Sequence, residues 1–343
     1  MRKPVAALLL TVPLLFAACG GEDEPAAGGG ASAAERPLVV ASTPVVADIV
    51  RQVAGDAAEV KQVMSANADP HDYEPRPDDV KAVAGAKVVI ESGNDLDHWM
   101  EELVEQTGEK PAELVIAPDH TPHKVKPAEG GHGHGEEEEH AGEEEEHAGE
   151  EEEHAGEWDP HWWHDPRNVE TAVAAIRDEL VKSAPENADA YRTNADAYLK
   201  KVQALDAGIE ACMNQVPAQE RKLVTSHDAF GYFTERYGIT TIGAATPSNS
   251  ASAQPSAGEL AELADVIRRE KVKAVFPESA VNPELAQTIA RQTGAKADYV
   301  LYGDTLGPEG SPGATYLQME QANAHAMVKG FTGDAQGCTI AGL

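Results

Sequence analysis

At 343 residues, 41% hydrophobic and only 5% aromatic, the chain has room for two α/β domains packed mainly by Ala, Val, Leu and Ile. A formal net charge of −32 at pH 7 excludes nucleic acid as a partner, because phosphate binding needs clustered Lys and Arg. The same excess suits a protein that attracts cations.

In chain order, the first segment is a targeting signal. Arg2 and Lys3 precede an apolar run, Val5 to Ala18, too short to span a bilayer as a helix. The run ends in Leu15-Phe16-Ala17-Ala18-Cys19-Gly20, where small residues before a cysteine match a bacterial lipoprotein cleavage site. Residues 1–18 therefore read as a signal peptide, Cys19 as the lipidated first residue, and 19–36 as a Gly/Ala/Glu-rich tether to the cell membrane. An ordinary secretory signal is the alternative. Either places the mature chain outside the cytoplasm, periplasmic or anchored.

From Pro37 the sequence alternates strand and helix. Strands are expected at 38–41, 60–64, 87–91 and 113–117, and helices at 45–54, 78–84 and 98–106. Branched runs between helical periods argue for parallel sheet covered by helices. Composition then changes. Residues 129–157 hold fourteen Glu and no Lys or Arg, with GEEEEHA three times from Gly135 to Ala155. A period of seven without apolar a and d positions is no coiled coil, so a loop of about 119–157 is expected to be disordered without a ligand. Helices are expected at 168–183 and, as a long strut, 186–214, with Gly208 its weak point. A second alternating half follows: strands at 223–226, 239–244, 272–276 and 297–301, and helices at 230–237, 259–270, 283–292 and 316–331, with Pro283 at a first helical position. The domains would be an N-terminal lobe 37–185, the linking helix 186–214 and a C-terminal lobe 215–343, with a ligand cleft between lobes. Cys212 and Cys338 are far apart and lack CxxC spacing. In an oxidising compartment they are expected to form a disulfide pinning the C-terminal tail to the long helix.

Three histidines stand in distinctive turns. His71 lies in Asp69-Pro70-His71-Asp72-Tyr73-Glu74-Pro75 after the second strand. His161 lies in Asp159-Pro160-His161-Trp162-Trp163-His164-Asp165-Pro166 before a helix. His227 lies in Ser226-His227-Asp228-Ala229-Phe230-Gly231-Tyr232-Phe233 at a strand end. All fall where ligands are set on a rigid frame. The neighbouring prolines stiffen the first two, and nearby carboxylates can accept the second ring N–H. His164 reads as a surface residue or one flanking the site. His98 and His325 read as exposed or structural, and Trp162 and Trp163 as one wall of the cleft.

These three motifs, with Tyr302-Gly303-Asp304-Thr305-Leu306-Gly307 and the His-rich loop between the first two, resemble the metal-binding solute-binding proteins of ABC transporters, the ZnuA/TroA type. The likeness runs from Pro37 to the C-terminus. It implies two lobes, each with a parallel four-stranded sheet flanked by helices, joined by one long rigid helix, with the metal in the inter-lobe cleft. It implies His71, His161, His227 and Asp304 as ligands, a permease and its ATPase as partners, no catalysis, and at most a modest adjustment on binding. Three imidazoles and a carboxylate suit tetrahedral zinc. Manganese-favouring relatives tend to replace the third His by a carboxylate, and here it is His227. Glu278 is a rival fourth ligand, and water a third option. Manganese is the alternative cargo. A zinc hydrolase, for which there is no HExxH, and a surface adhesin or metal buffer are remoter readings. A monomer is expected, and a zinc chaperone is a further possible partner. His120, His123, His132, His134, His140, His147 and His154 are neutral near pH 7, and their recurrence points to weak zinc capture beside the cleft.

Overall fold

Short β-branched runs pair first. β1 (Leu38–Ala41), β2 (Glu59–Gln62), β3 (Val88–Gly93) and β4 (Ala112–Ala117) form a parallel sheet in the order β2-β1-β3-β4. Val39 is in register with Val60 on one side and Val88 on the other. The computed structural model describes residues 36–127, 157–247 and 253–342. Cys19, the signal peptide and tether, and His132, His134, His140, His147 and His154 lie outside the described residues.

Period two in these strands sends Val40 and Val89 to one face and Val39, Val88 and Ile90 to the other. The first set packs with Val83 of α2 (Pro77–Ala84) and with Trp99 and Leu103 of α3 (Trp99–Thr107). The second packs with Val46 and Ile49 of α1 (Pro44–Ala54) and with Val169 of α4 (Pro166–Ser183). Helix α1 starts where the sequence demands it. Thr43 Oγ1 accepts the Val46 N–H at 3.3 Å, and Pro44 fills the first turn, where its missing N–H costs nothing.

After α5 (Ala188–Met213), β5 (Lys222–His227) pairs in parallel with β6 (Thr240–Thr246), and α6 (Gly231–Tyr237) lies between them in sequence. Beyond β5 the sheet continues, among the described residues, through single parallel bridges, Thr225 to Phe276, Ala274 to Lys296 and Glu278 to Leu301. The second sheet was expected to have four strands, but its last two members in chain order, around 274–278 and 296–301, are bridge-linked segments, not continuous strands. Pro277 has no N–H to give the ladder; its carbonyl still accepts Leu301 N–H at 2.9 Å. The remaining helices are α7 (Ala257–Glu270), α8 (Glu284–Thr293) and α9 (Tyr316–Thr332). Pro283 stands one place before α8, as its cap.

The strut is α5. Tyr191, Ala195, Tyr198, Val202, Leu205 and Ile209 form one buried stripe against α1, α4 and α9. A single apolar cluster therefore runs from Val39 of the first sheet through α5 to Phe276 and Phe331 of the second half. Asp48 of α1 adds a polar tie by accepting the Tyr316 N–H of α9 at 2.9 Å, a donor that the helix itself leaves unused.

Cys212 and Cys338 are bonded, with Cα atoms 5.4 Å apart. The tail this pins explains Gly208. A Cβ there would sit 2.5 Å from Ile340 Cγ2, so the helix accepts a residue costing about 1 kcal/mol relative to Ala. The bond closes a sequence separation of 126 residues. Replacing both cysteines by Ser is expected to lower stability by roughly 2–5 kcal/mol. Denaturant unfolding checks this, and an unchanged midpoint would show that the tail is held by packing alone.

Candidate metal centre

Each of the three motif histidines is set by its own turn. In the first loop Asp69 Oδ1 accepts the His71 backbone N–H at 3.0 Å, and Trp99 Nε1 donates to Pro70 O at 2.9 Å. The second loop repeats the device. Asp159 Oδ1 accepts the His161 backbone N–H at 2.8 Å. Asp-Pro-His is thus a local unit in which the aspartate closes a turn on the histidine two residues on. Tyr232 Oη donates to Asp159 O at 3.0 Å and anchors the second turn to α6. His227 ends β5, and its N–H is taken by Glu278 Oε1 at 3.0 Å.

These turns, with Asp304, converge. One donor atom from each of His71, His161, His227 and Asp304 lies within 4.8 Å of all the others. His161 Nε2 is 3.0 Å from Asp304 Oδ1, and His227 Nε2 is 3.4 Å from both Asp304 Oδ1 and His161 Nε2. His161, His227 and Asp304 are buried, while His71 reaches the solvent.

The outer hydrogen bonds choose the tautomers. His161 Nδ1–H donates to Asp159 Oδ1 at 2.8 Å, which leaves the Nε2 lone pair facing the centre. Thr246 Oγ1 donates to Ser226 O at 3.0 Å, so it can only accept from His227 Nδ1–H at 3.5 Å. His227 Nε2 then also presents a lone pair. Asp304 Oδ1 and His71 Nε2 are buried with no hydrogen-bond donor. Converging acceptors with no donor among them are costly to bury. A cation, proton or metal, relieves that cost.

Electrostatics agree. Burial pulls the His161 imidazole down, but Asp159 and Asp304 outweigh it and push it up to about 10. Burial likewise opposes a charged His227, and Asp304 and Glu278 raise it. Burial pushes the Asp304 carboxyl up, yet His227 and His161 hold it well below the carboxylate range. His71 is driven down to about 3, chiefly by burial.

Glu278, the rival carboxylate, is not in the cluster. It is turned back onto His227 N–H and Ser226 Oγ, and burial pushes it up to about 8. His164 is not a surface residue. It is fully buried, stacked on Phe230 at 4.6 Å and hydrogen-bonded through both ring nitrogens. Its partner Glu320 is 156 positions away in sequence, beyond any local signal. His98 is exposed at the start of α3, and His325 bonds Cys338 O. His120 and His123, at the described edge of the acidic loop, are not part of the cluster. Trp162 and Trp163 are buried, and Trp163 lies 5.5 Å from the His161 ring.

A family model described as "ZnuA: Zinc-uptake complex component A periplasmic" matches residues 39–330. The manganese-binding lipoprotein MntA of Halalkalibacterium halodurans is 29% identical, over 86% of this chain and 88% of its own length. The iron-binding protein YfeA of Yersinia pestis is 31% identical, over 85% and 86% respectively. Among solved structures, the periplasmic zinc binding protein TroA from Treponema pallidum matches with a TM-score of 0.73 and 25% identity, covering 86% of this chain and 99% of that one.

Proposed function

This chain belongs to the periplasmic zinc-uptake component A family, metal-binding components of ABC transporters, and on that premise we propose that it captures zinc outside the cytoplasm for a permease and its ATPase. The family is one of metal transport, not catalysis. Names of relatives divide among manganese, iron and zinc, so the cargo is argued from the donors of this chain.

One observation carries the reading. Three imidazoles and one carboxylate come within 4.8 Å of one another, and three of the four donors are 3.0–3.4 Å apart. Tetrahedral zinc with Zn–N of about 2.0–2.1 Å places neighbouring ligands roughly 3.3–3.4 Å apart. Manganese prefers oxygen-rich six-coordination, and among the described residues only Asp304 brings an oxygen into the cluster. In this reading His71, His161, His227 and Asp304 are the ligands. Asp304 closes the fourth position that a zinc hydrolase would leave open to water.

The acidic repeat fits the same role. His120, His123, His132, His134, His140, His147 and His154 bind further zinc weakly and raise its concentration beside the tight site. Cys19 carries the lipid that keeps the protein at the membrane. The decisive experiment is competition of zinc, manganese and iron(II) against a chromogenic chelator, on the mature chain with and without residues 129–157. Expected are one tight zinc per chain without the loop, more with it, and zinc favoured over manganese, the direction that the ligand types and the Irving–Williams order give. A manganese preference would change the cargo, and no tight site would overturn the reading.

A further inference from the structure

The turn that follows His161 reaches across the molecule to the peptide preceding Asp304. Trp163 Nε1 and His164 Nε2 both donate to the carbonyl oxygen of Gly303, each at 3.2 Å. Behind the imidazole, His164 Nδ1 lies 2.7 Å from Glu320 Oε1 of α9, and both side chains are fully buried. A carbonyl only accepts, so Nε2 must carry a hydrogen. Glu320 fixes that orientation from the other side, and Phe230 stacks on the ring at 4.6 Å. Glu278 crowds the same glycine: a Cβ on Gly303 would clash with Glu278 Oε2. Asp304 Oδ1 itself lies 3.0 Å from His161 Nε2 and 3.4 Å from His227 Nε2, and the peptide that carries it is held from behind by the two bonds to Gly303 O.

We infer that His164, oriented by Glu320, is a positioning residue that holds the Gly303–Asp304 peptide so that the Asp304 carboxylate faces the metal. This rests on the metal-capture reading above. One turn then supplies a ligand, His161, and fixes another, Asp304, from the opposite half of the chain. The energetic logic is that of outer partners of metal ligands, whose loss typically costs 10–100-fold in affinity.

The test is zinc affinity of the mature chain by chelator competition, in H164L, E320Q, E320L and D304A, and in H164L combined with D304A. H164L is expected to weaken zinc by about 10–100-fold, and E320L to do the same. E320Q should stay close to the parent, since a Gln amide can donate to Nδ1 and leave the hydrogen on Nε2. In the D304A background H164L should cost nothing further, because its effect runs through Asp304. A merely structural His164 would add its loss to that of D304A; such additivity, or unchanged binding in H164L, overturns the inference. If H164L does not fold, E320L against E320Q decides alone, and equal affinities overturn it. A parent chain that binds no zinc would overturn the metal-capture reading itself, which these variants leave untouched.

Discussion

His161→Ala is expected to abolish tight zinc binding and also to unfold the metal-free protein more easily. His161 faces Asp159 Oδ1 at 2.8 Å and Asp304 Oδ1 at 3.0 Å, with all three side chains buried. Removing it takes a donor from the ion, so the loss should exceed the roughly 10–100-fold that an outer partner costs. It also takes the buried imidazole from Asp159, which keeps the backbone N–H of residue 161, and from Asp304, which keeps His227 at 3.4 Å. Breaking a buried pair from one side typically costs about 3–5 kcal/mol, and nothing here is screened by solvent. His71→Ala provides the contrast. Burial drives that imidazole down to about 3, so it is neutral and unpaired in the empty site. That variant should lose zinc but keep its metal-free stability. Denaturant unfolding without metal, beside zinc titration, separates the two. An H161A chain as stable as the parent would refute the ion-pair account, and one that still held zinc tightly would refute the site.

Zinc affinity should rise by about a hundredfold between pH 6 and pH 8, for each proton the metal displaces. His161, pushed up to about 10, is protonated in the empty site across that window. Its proton must leave when the metal arrives, so binding gains about a factor of ten per pH unit. His227, also raised, steepens the slope. His71 is already neutral there and contributes nothing. An unperturbed imidazole, titrating near 6.5, would flatten the curve above pH 7. Titrations at pH 6, 7 and 8 in two buffers of different ionisation enthalpy measure both slope and proton release. A flat profile with no released proton would count decisively against these charges.

Most of the frame is written locally. Leu38-Val39-Val40-Ala41 can only be a buried strand, and Thr43-Pro44 can hardly avoid starting a helix. Every expected helix is present within two residues at each end. The second sheet was harder, because residues 272–276 and 297–301 have the branched composition of strands while Pro277 breaks the ladder between them. The site was legible as far as backbone turns reach: Asp69 and Asp159 each bond their own histidine two positions on. Choosing between Asp304 and Glu278 was not a local matter. Both are carboxylates after strand-like segments, and only the fold turns Glu278 back onto His227 N–H. For His164 the sequence left open a surface place or one flanking the site; the fold buries it beside the site, because a histidine amid Trp, Asp and Pro carries no mark of a glutamate on a distant helix.

The unequal depth of the four donors has a kinetic meaning. Three are fixed below the surface on an uninterrupted apolar core, whereas His71 sits at the rim on a short loop. On the capture reading, a competing ligand would approach a bound ion past His71, the least buried of the four, and could replace that one bond while the other three hold. Release by such stepwise exchange needs no opening of the core. The ion's lifetime then depends on what stands outside: long in plain solvent, and short against a receiving surface that offers a competing donor.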